Sequence, residues 1–205
     1  MIEIKHRDTG EVIATVHAAD LIGVDFREVD LAGANFAKAD LTGANLFEAD
    51  LRGANLREAN LREASLHGAD LSQADLTKAD LTRASLFRAD FRGSNLAEAN
   101  LAEIRADVFA VLSLARNEIA GLRFAVVEGQ IDGSSYNGLC ACLVGTIASL
   151  QDCEYRQVPG IPIDESRPAE RFFTGIGAGD TPETNPVSAI VLGWIDEFTA
   201  LPTAQ

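Results

Sequence analysis

Residues 39–58 of the chain read ADLTGANLFEADLRGANLRE, which is four consecutive copies of a five-residue unit. In each copy a leucine follows an alanine by two positions, with Asp or Asn between them. Leu or Phe keeps this spacing without interruption from Leu21 to Leu101, which makes 17 units across residues 19–103. A fixed short period is the signature of a repeat architecture, in which successive units stack to build one continuous core.

The five-residue period matches neither the 3.6-residue period of a helix nor a long alternating strand. Within each unit, however, the alanine and the leucine are two residues apart, so extended backbone points both side chains to the same side. We therefore expect each unit to be a short extended segment with one small and one large inward side chain, followed by a turn.

This pattern resembles that of the pentapeptide repeat family, whose unit is Ala, then Asp or Asn, then Leu, then two variable residues. The units Ala39-Asp40-Leu41-Thr42-Gly43 and Ala49-Asp50-Leu51-Arg52-Gly53 match it fully. The resemblance implies a right-handed quadrilateral β-helix with four units in each coil. Seventeen units then form a little more than four coils, and the rod is roughly 20 Å long at the usual spacing of neighbouring strands.

The segments on either side of the repeats have different patterns. Residues 1–18 predict a β-hairpin that caps the first coil, with strands at Ile2–Ile4 and Val12–Val16 and a turn at Asp8–Gly10. Residues 104–205 predict a mostly α-helical C-terminal domain. Its expected helices are Ala106–Arg116, a second helix capped by Asn117 and reaching Glu128, Leu139–Leu150, Pro168–Gly175 and Val187–Leu201.

If four units form a coil, residues 20 apart stack in columns on the outside of the rod. One column contains Phe47, His67 and Phe87, an apolar stripe on an otherwise polar surface. Exposed apolar patches often mark interfaces, so these three residues are predicted to bind a partner. Two alternatives stay open: stacking between the rings, or cover from the C-terminal domain.

Two further columns carry charge. One contains Asp30, Asp50, Asp70 and Asp90, which either form an acidic partner-binding stripe that imitates a nucleic-acid backbone or cap local turns. Turn capping is favoured, because Asp, Asn or Ser occupies this slot in all 17 units. The other column contains Lys38, Glu58, Lys78 and Glu98, whose alternating charges should attract one another.

The bulk properties narrow the classes of partner. The formal net charge is −14, which disfavours direct binding to nucleic acid or to an anionic membrane and favours basic partners. Cys140, Cys142 and Cys153 lack the fourth ligand of a zinc site and a nearby histidine, so we expect neither a metal nor another cofactor. Because residues 1–8 do not form a secretory signal, we expect a cytoplasmic protein.

These observations predict a non-enzymatic binding or scaffold protein, in which a rigid rod presents a helical domain that binds a protein or a small ligand. Polar loops are where such ligands tend to bind. The ligand-binding candidates are Asp132, Ser134, Tyr136, Asn137, Asp180, Glu183 and Asn185. The loops at residues 132–136 and 180–186 faintly resemble C-terminal segments of uncharacterised bacterial and phage repeat proteins, a likeness that implies no function.

An alternative function follows from the family resemblance. The repeats are similar to those of quinolone-resistance pentapeptide proteins, which implies a DNA mimic that binds DNA gyrase or a topoisomerase. The oligomeric state stays open, and a homo-oligomer is compatible with the sequence.

Overall fold

Residues 1–131, 143–150 and 168–202 are described by a computed structural model. The chain divides into two compact units, Met1–Ala102 and Glu103–Gln205. Among the helices of the described residues, none combines the length and the apolar composition needed to cross a membrane.

The first unit begins with a hairpin of two antiparallel strands, β1 (Ile2–Lys5) and β2 (Val12–Val16). At the end of β1 the chain pairs with the first coil of the repeats, because the Asn35 N–H donates to the Lys5 carbonyl at 2.8 Å. Gly33 is required at this contact: a Cβ at that position would lie 2.2 Å from Nε2 of His6. The hairpin therefore supplies hydrogen-bond partners to the edge of the first coil.

The repeats coil so that residues 20 apart lie side by side. Parallel bridges join them from Asp25 and Asn45 at one end to Asp80 and Asn100 at the other. The Leu31 N–H donates to the Asp50 carbonyl at 2.8 Å, and the same pattern repeats in successive coils. Since each unit has five residues, four units complete one coil, and the region is a β-helix with four faces. The bridges are isolated and do not merge into a continuous sheet.

The inside of the coil is filled by the alanine and leucine of each unit. Every leucine of the series from Leu41 to Leu76 is fully buried, and the alanines between them are at most 1% exposed. Burying one leucine side chain stabilises a fold by about 1.5–3 kcal/mol, so this series is the main source of stability in the region. The predicted inward orientation of these two positions is confirmed.

The first coil is closed by larger side chains. Phe26 and Phe36 are buried, and their rings meet edge to face with centroids 5.9 Å apart. Ile4 of the hairpin is also buried, at 3% exposed. Bulky aromatic residues thus fill the N-terminal end of the tube, where no further coil lies beneath.

The turns between units require left-handed backbone. Ten non-glycine residues adopt it at the last position of a unit, for example Glu48 with φ 52° and Gln73 with φ 60°. Such a conformation costs about 1–2 kcal/mol per residue. Hydrogen bonds between coils hold this left-handed conformation in place, since the Glu48 N–H donates to the His67 carbonyl at 2.9 Å.

The second unit is helical. Its helices are α1 (Ala102–Leu114), α2 (Ile119–Val127), α3 (Leu143–Leu150), α4 (Pro168–Phe173) and α5 (Pro186–Ala200), with a 3₁₀ turn at Arg116–Glu118 before α2. Helix α2 packs against α3 and α5. Its buried residues meet a core that includes Val191 and Ile195 of α5.

Two sequence-based expectations about these helices are wrong. Helix α1 begins at Ala102 and not at Ala106, because the Ala102 N–H donates to the Asn100 side chain at 3.3 Å, so the last repeat turn leads directly into the helix. Asn117 does not cap α2: it lies inside the 3₁₀ turn, and α2 starts without a side-chain cap. The predicted helix at Leu139–Leu150 lies partly outside the described residues.

Candidate functional site

Three ring side chains form a continuous column on one face of the coil. The centroids of Phe47 and His67 are 5.0 Å apart, and those of His67 and Phe87 are 4.8 Å apart. The backbone sets this spacing, because the Gly68 N–H donates to the Phe87 carbonyl at 2.9 Å. The structure therefore brings the three predicted residues together, and mutual stacking leaves each one half-buried.

We call the four units that carry this column the aromatic face, residues 24–28, 44–48, 64–68 and 84–88. Beside the rings, the Asp/Asn slots hold the neutral residues Asn45, Ser65 and Ser85. The guanidinium of Arg88 lies 5.2 Å from the centroid of the Phe87 ring, in cation–π geometry. On the side of the Asp/Asn slots, the rings of this face are therefore bordered by uncharged polar groups.

At the start of the aromatic face, Arg27 is held by its own unit. Its guanidinium contacts the Asp25 carboxylate through Nε at 2.9 Å and through Nη2 at 2.7 Å. The hydrogen bonds from Arg27 lower the pKa of Asp25. This pair neutralises the charge of Arg27 within its own unit.

The four aspartates of the acidic column lie directly above one another. In each, Oδ1 accepts a hydrogen bond from the N–H two residues later, at 2.9–3.1 Å. The residues are Asp30, Asp50, Asp70 and Asp90. Their carboxylates therefore cap the local turns, which is the favoured alternative from the sequence.

Arginines neutralise part of this column. The Arg52 side chain contacts both oxygens of Asp50, and its Nε lies 3.9 Å from Oδ2 of Asp70. Hydrogen bonds from Arg52 lower the pKa of Asp50. Partial burial raises the pKa of Asp90, but hydrogen bonds from Arg92 outweigh it, so that pKa is also lowered. The column is therefore not an uninterrupted run of free negative charge.

The face opposite the aromatic one carries charges that pair with each other. We call it the paired face, residues 34–38, 54–58, 74–78 and 94–98. Lys38 contacts Glu58 and Lys78 contacts Glu98, each at 3.6 Å, which confirms the predicted attraction between coils. Arg57 contacts Asp75 at 3.1 Å. Every charged side chain of this face thus has a partner on the same face.

The C-terminal candidates that can be placed are used within their own loop. Oδ2 of Asp180 accepts hydrogen bonds from the Gly177 N–H at 2.7 Å and from Nδ2 of Asn185 at 2.6 Å. Asn185 is buried and caps α5 by accepting from the Val187 N–H at 2.8 Å. Glu183 is exposed, and a hydrogen bond from Thr181 lowers its pKa. Ligand binding at this loop stays a prediction.

Other predicted residues lie outside the described part of the chain. These are Asp132, Ser134, Tyr136 and Asn137 of the first polar loop, together with Cys140, Cys142 and Cys153. Across the described ranges, no group of His, Cys, Asp and Glu side chains is arranged to hold a metal ion.

Comparisons with known proteins bear on the repeats. The family model for pentapeptide repeats matches residues 14–46, 44–83 and 84–105, in 8 copies. A solved pentapeptide repeat protein from Nostoc PCC 7120 is 51% identical over 38% of this chain and 64% of its own length, with a TM-score of 0.37. A pentapeptide repeat protein of the Arabidopsis thaliana thylakoid lumen is 29% identical over 40% of this chain and 65% of its own length, with a TM-score of 0.33.

QnrB1, a plasmid-mediated fluoroquinolone resistance protein, is 23% identical over 38% of this chain and 55% of its own length, with a TM-score of 0.19. The chain thus spans less than two thirds of each of these three proteins. No protein of curated function matches it. The coil is established by the hydrogen bonds that join its successive turns, and not by superposition on these structures.

Proposed function

We propose, on the premise that residues 14–105 of this chain are pentapeptide repeats, that they wind as a right-handed quadrilateral β-helix and serve as a non-enzymatic scaffold that binds another protein. The observation that carries this proposal is the column of Phe47, His67 and Phe87. Aromatic side chains are enriched at the centres of protein interfaces, where they contribute much of the binding energy.

The coil suits this role because its surface is preorganised. The rings are attached to backbone that is hydrogen-bonded to the next coil, for example from the Glu48 N–H to the His67 carbonyl at 2.9 Å. A partner that docks on the column therefore orders few additional side chains, and preorganisation of this kind favours affinity. The C-terminal helical unit is proposed as a second binding element, for a protein or a small ligand.

A photo-crosslinking experiment tests the scaffold role. The full chain carries benzoylphenylalanine in place of Phe47 and is irradiated in a lysate of its source organism. The matched control carries the same group in place of Ala37, which occupies the same slot on the paired face and is exposed. We expect an adduct from position 47 that is absent from position 37.

Competition identifies the surface involved. Wild-type chain without the crosslinker, added in excess, should reduce the yield of the adduct from position 47. The Phe87→Ala chain added in the same way should reduce that yield much less. Identical adducts from positions 47 and 37, or equal suppression by both competitors, would exclude the column as the binding surface.

The alternative is a DNA mimic that binds DNA gyrase or a topoisomerase. The stacked carboxylates of Asp30, Asp50, Asp70 and Asp90 favour it, while the arginines at positions 52 and 92 weaken the resemblance to a phosphate backbone. The test is supercoiling by purified gyrase with the full chain added. Inhibition that decreases in the Asp30→Asn and Asp70→Asn variants supports the alternative, since Asn keeps the turn hydrogen bond. No inhibition at micromolar concentrations removes it.

A further inference from the structure

Most charged side chains of the coil form ion pairs, and the exceptions are clustered. Within residues 19–102, which are all described, five carboxylates have no ion-pair partner, although Arg27 attracts Glu28 electrostatically and Arg52 attracts Asp30. They are Asp20, Glu28, Asp30, Asp40 and Glu48. All five lie in the first two coils.

The same five carboxylates lie on three contiguous faces. Glu28 and Glu48 are on the aromatic face itself. Asp20 and Asp40 are on the face that precedes it in the coil, and Asp30 is on the face that follows it. None is on the paired face. The N-terminal part of the ring column is therefore bordered on both sides by carboxylates that form no ion pair.

The spacing of the column selects the conformation of what it can bind. The ring centroids are separated by 5.0 and 4.8 Å, close to the rise of about 5.4 Å per turn of an α-helix. Apolar residues at positions i, i+3 or i+4, and i+7 of a helix can thus meet the three rings in register. An extended peptide repeats its same-side residues every 6.6 Å or so, which does not match this column.

We infer that the partner of the Phe47–His67–Phe87 column is a basic amphipathic α-helix, whose apolar stripe lies along the rings and whose Lys and Arg residues flank the stripe on both sides. This inference rests on the proposed protein-binding role of the column. Complementary charge would steer the helix to the N-terminal two coils and set its position, while the rings supply most of the affinity.

The probe for this inference is a fluorescein-labelled Leu/Lys peptide of about 18 residues, long enough for five helical turns, with Leu at i, i+3, i+4 and i+7 spacing. Three control peptides are a scrambled sequence of the same composition, a Leu/Glu helix of the same pattern, and an alternating Leu/Lys strand. Binding to the full chain is measured by fluorescence anisotropy at several salt concentrations. We expect the Leu/Lys helix to bind at least about tenfold more tightly than each control, a difference of about 1.4 kcal/mol.

Substitutions in the chain locate the binding. Phe47→Ala should weaken the binding of the Leu/Lys helix at least about tenfold, as expected for a central aromatic contact. The repeat tolerates this change, because Ala37 and Ala97 occupy the same slot. The double variant Asp40→Asn and Glu48→Gln should weaken the binding of the Leu/Lys helix by about threefold to tenfold and make that binding less dependent on salt. Asn60 and Gln73 already occupy these two slots elsewhere in the coil, so the variant is expected to fold.

Glu58→Gln on the paired face is the matched control and should leave the affinity unchanged. Equal binding of the scrambled or acidic peptide, tighter binding of the strand, or equal weakening by Glu58→Gln would overturn the inference. If the crosslink from position 47 forms but the Leu/Lys helix binds no better than its controls, the protein-binding role stands and the helical, basic partner is excluded. If neither is seen, both proposals fail.

Discussion

The aromatic face and the paired face share one backbone and differ in what they show to solvent. On both faces each unit buries a leucine or a phenylalanine, in most units together with an alanine, and ends in a left-handed turn. Outside, one face carries stacked rings with Glu28 and Glu48, which form no ion pair, nearby, whereas every charged side chain of the other face pairs across coils. The inward positions therefore specify the coil, and the outward positions are free to specify what it binds.

The largest expected effect tests whether the two faces are equivalent inside. Leu66→Ala on the aromatic face and Leu56→Ala on the paired face each remove a fully buried side chain. Each should lower the free energy of unfolding by about 2–5 kcal/mol, because a cavity is left in a narrow tube. Chemical denaturation followed by circular dichroism measures this. A loss on one face several-fold larger than on the other would break the equivalence.

A smaller effect separates the outer surfaces. Phe47→Ala removes the stacking of Phe47 on His67 and should lower the free energy of unfolding by only about 0.5–1.5 kcal/mol, the usual contribution of such a ring pair. The same denaturation experiment compares it with Leu66→Ala. A loss as large as that of the leucine variant would mean that the column is part of the core and not a surface for partners.

Lowering the pH should remove a stabilising contribution from the paired face. Asp75 of the paired face is partly buried, which raises its pKa, but hydrogen bonds from Thr77 and Arg57 outweigh this and lower it overall. A carboxyl whose pKa is lower in the folded state stabilises the fold above its unfolded pKa of about 3.9, and this stability is lost as the pH falls toward the folded pKa.

The variant Asp75→Asn should therefore be less stable than wild type near neutral pH, by at most about 1 kcal/mol, and should approach it below about pH 4. Asn55 and Asn95 occupy the same slot of the same face, so the turn is kept. Denaturation midpoints measured across this pH range give the comparison. A difference that stays constant with pH would show that the charge of Asp75 is not responsible.

The smallest effect concerns the exposed pairs. Glu58→Gln breaks the contact with Lys38 and should lower the free energy of unfolding by no more than about 1 kcal/mol, because both side chains are well exposed. Raising the salt concentration should remove most of the difference. A large decrease in the free energy of unfolding that does not depend on salt would indicate that the Lys38–Glu58 pair contributes by packing.

Much of the coil could be predicted from the sequence. The interval from Ala39 to Leu41 within a unit predicts the inward pair, the resemblance to pentapeptide repeats implies the stacking of residues 20 apart, and the structure confirms each. The helical unit was harder to predict, since its helices have no fixed period. The sequence predicts the start of α1 at Ala106 and not at Ala102, because Asn100 is both a repeat residue and the hydrogen-bond acceptor at the beginning of the helix.

The pairing of the outward arginines could not be predicted from the columns. Arg52 binds Asp50 of its own unit, whereas Arg57 reaches to Asp75 in the next coil because its own unit carries Asn55 in that slot. Long side chains can contact several neighbours, and only their position across coils decides which carboxylates are neutralised.

The sequence by itself determined the repeat and its inward-facing residues, because a five-residue covalent pattern with alanine and leucine two apart dictates which side chains face inward. The tertiary structure alone decided that the rings of Phe47, His67 and Phe87 cover one another, and that the carboxylates without an ion pair border them on both sides. The physical reason is that ring stacking and ion pairing depend on distances of a few ångströms between coils, which appear only when the backbone bonds align the units.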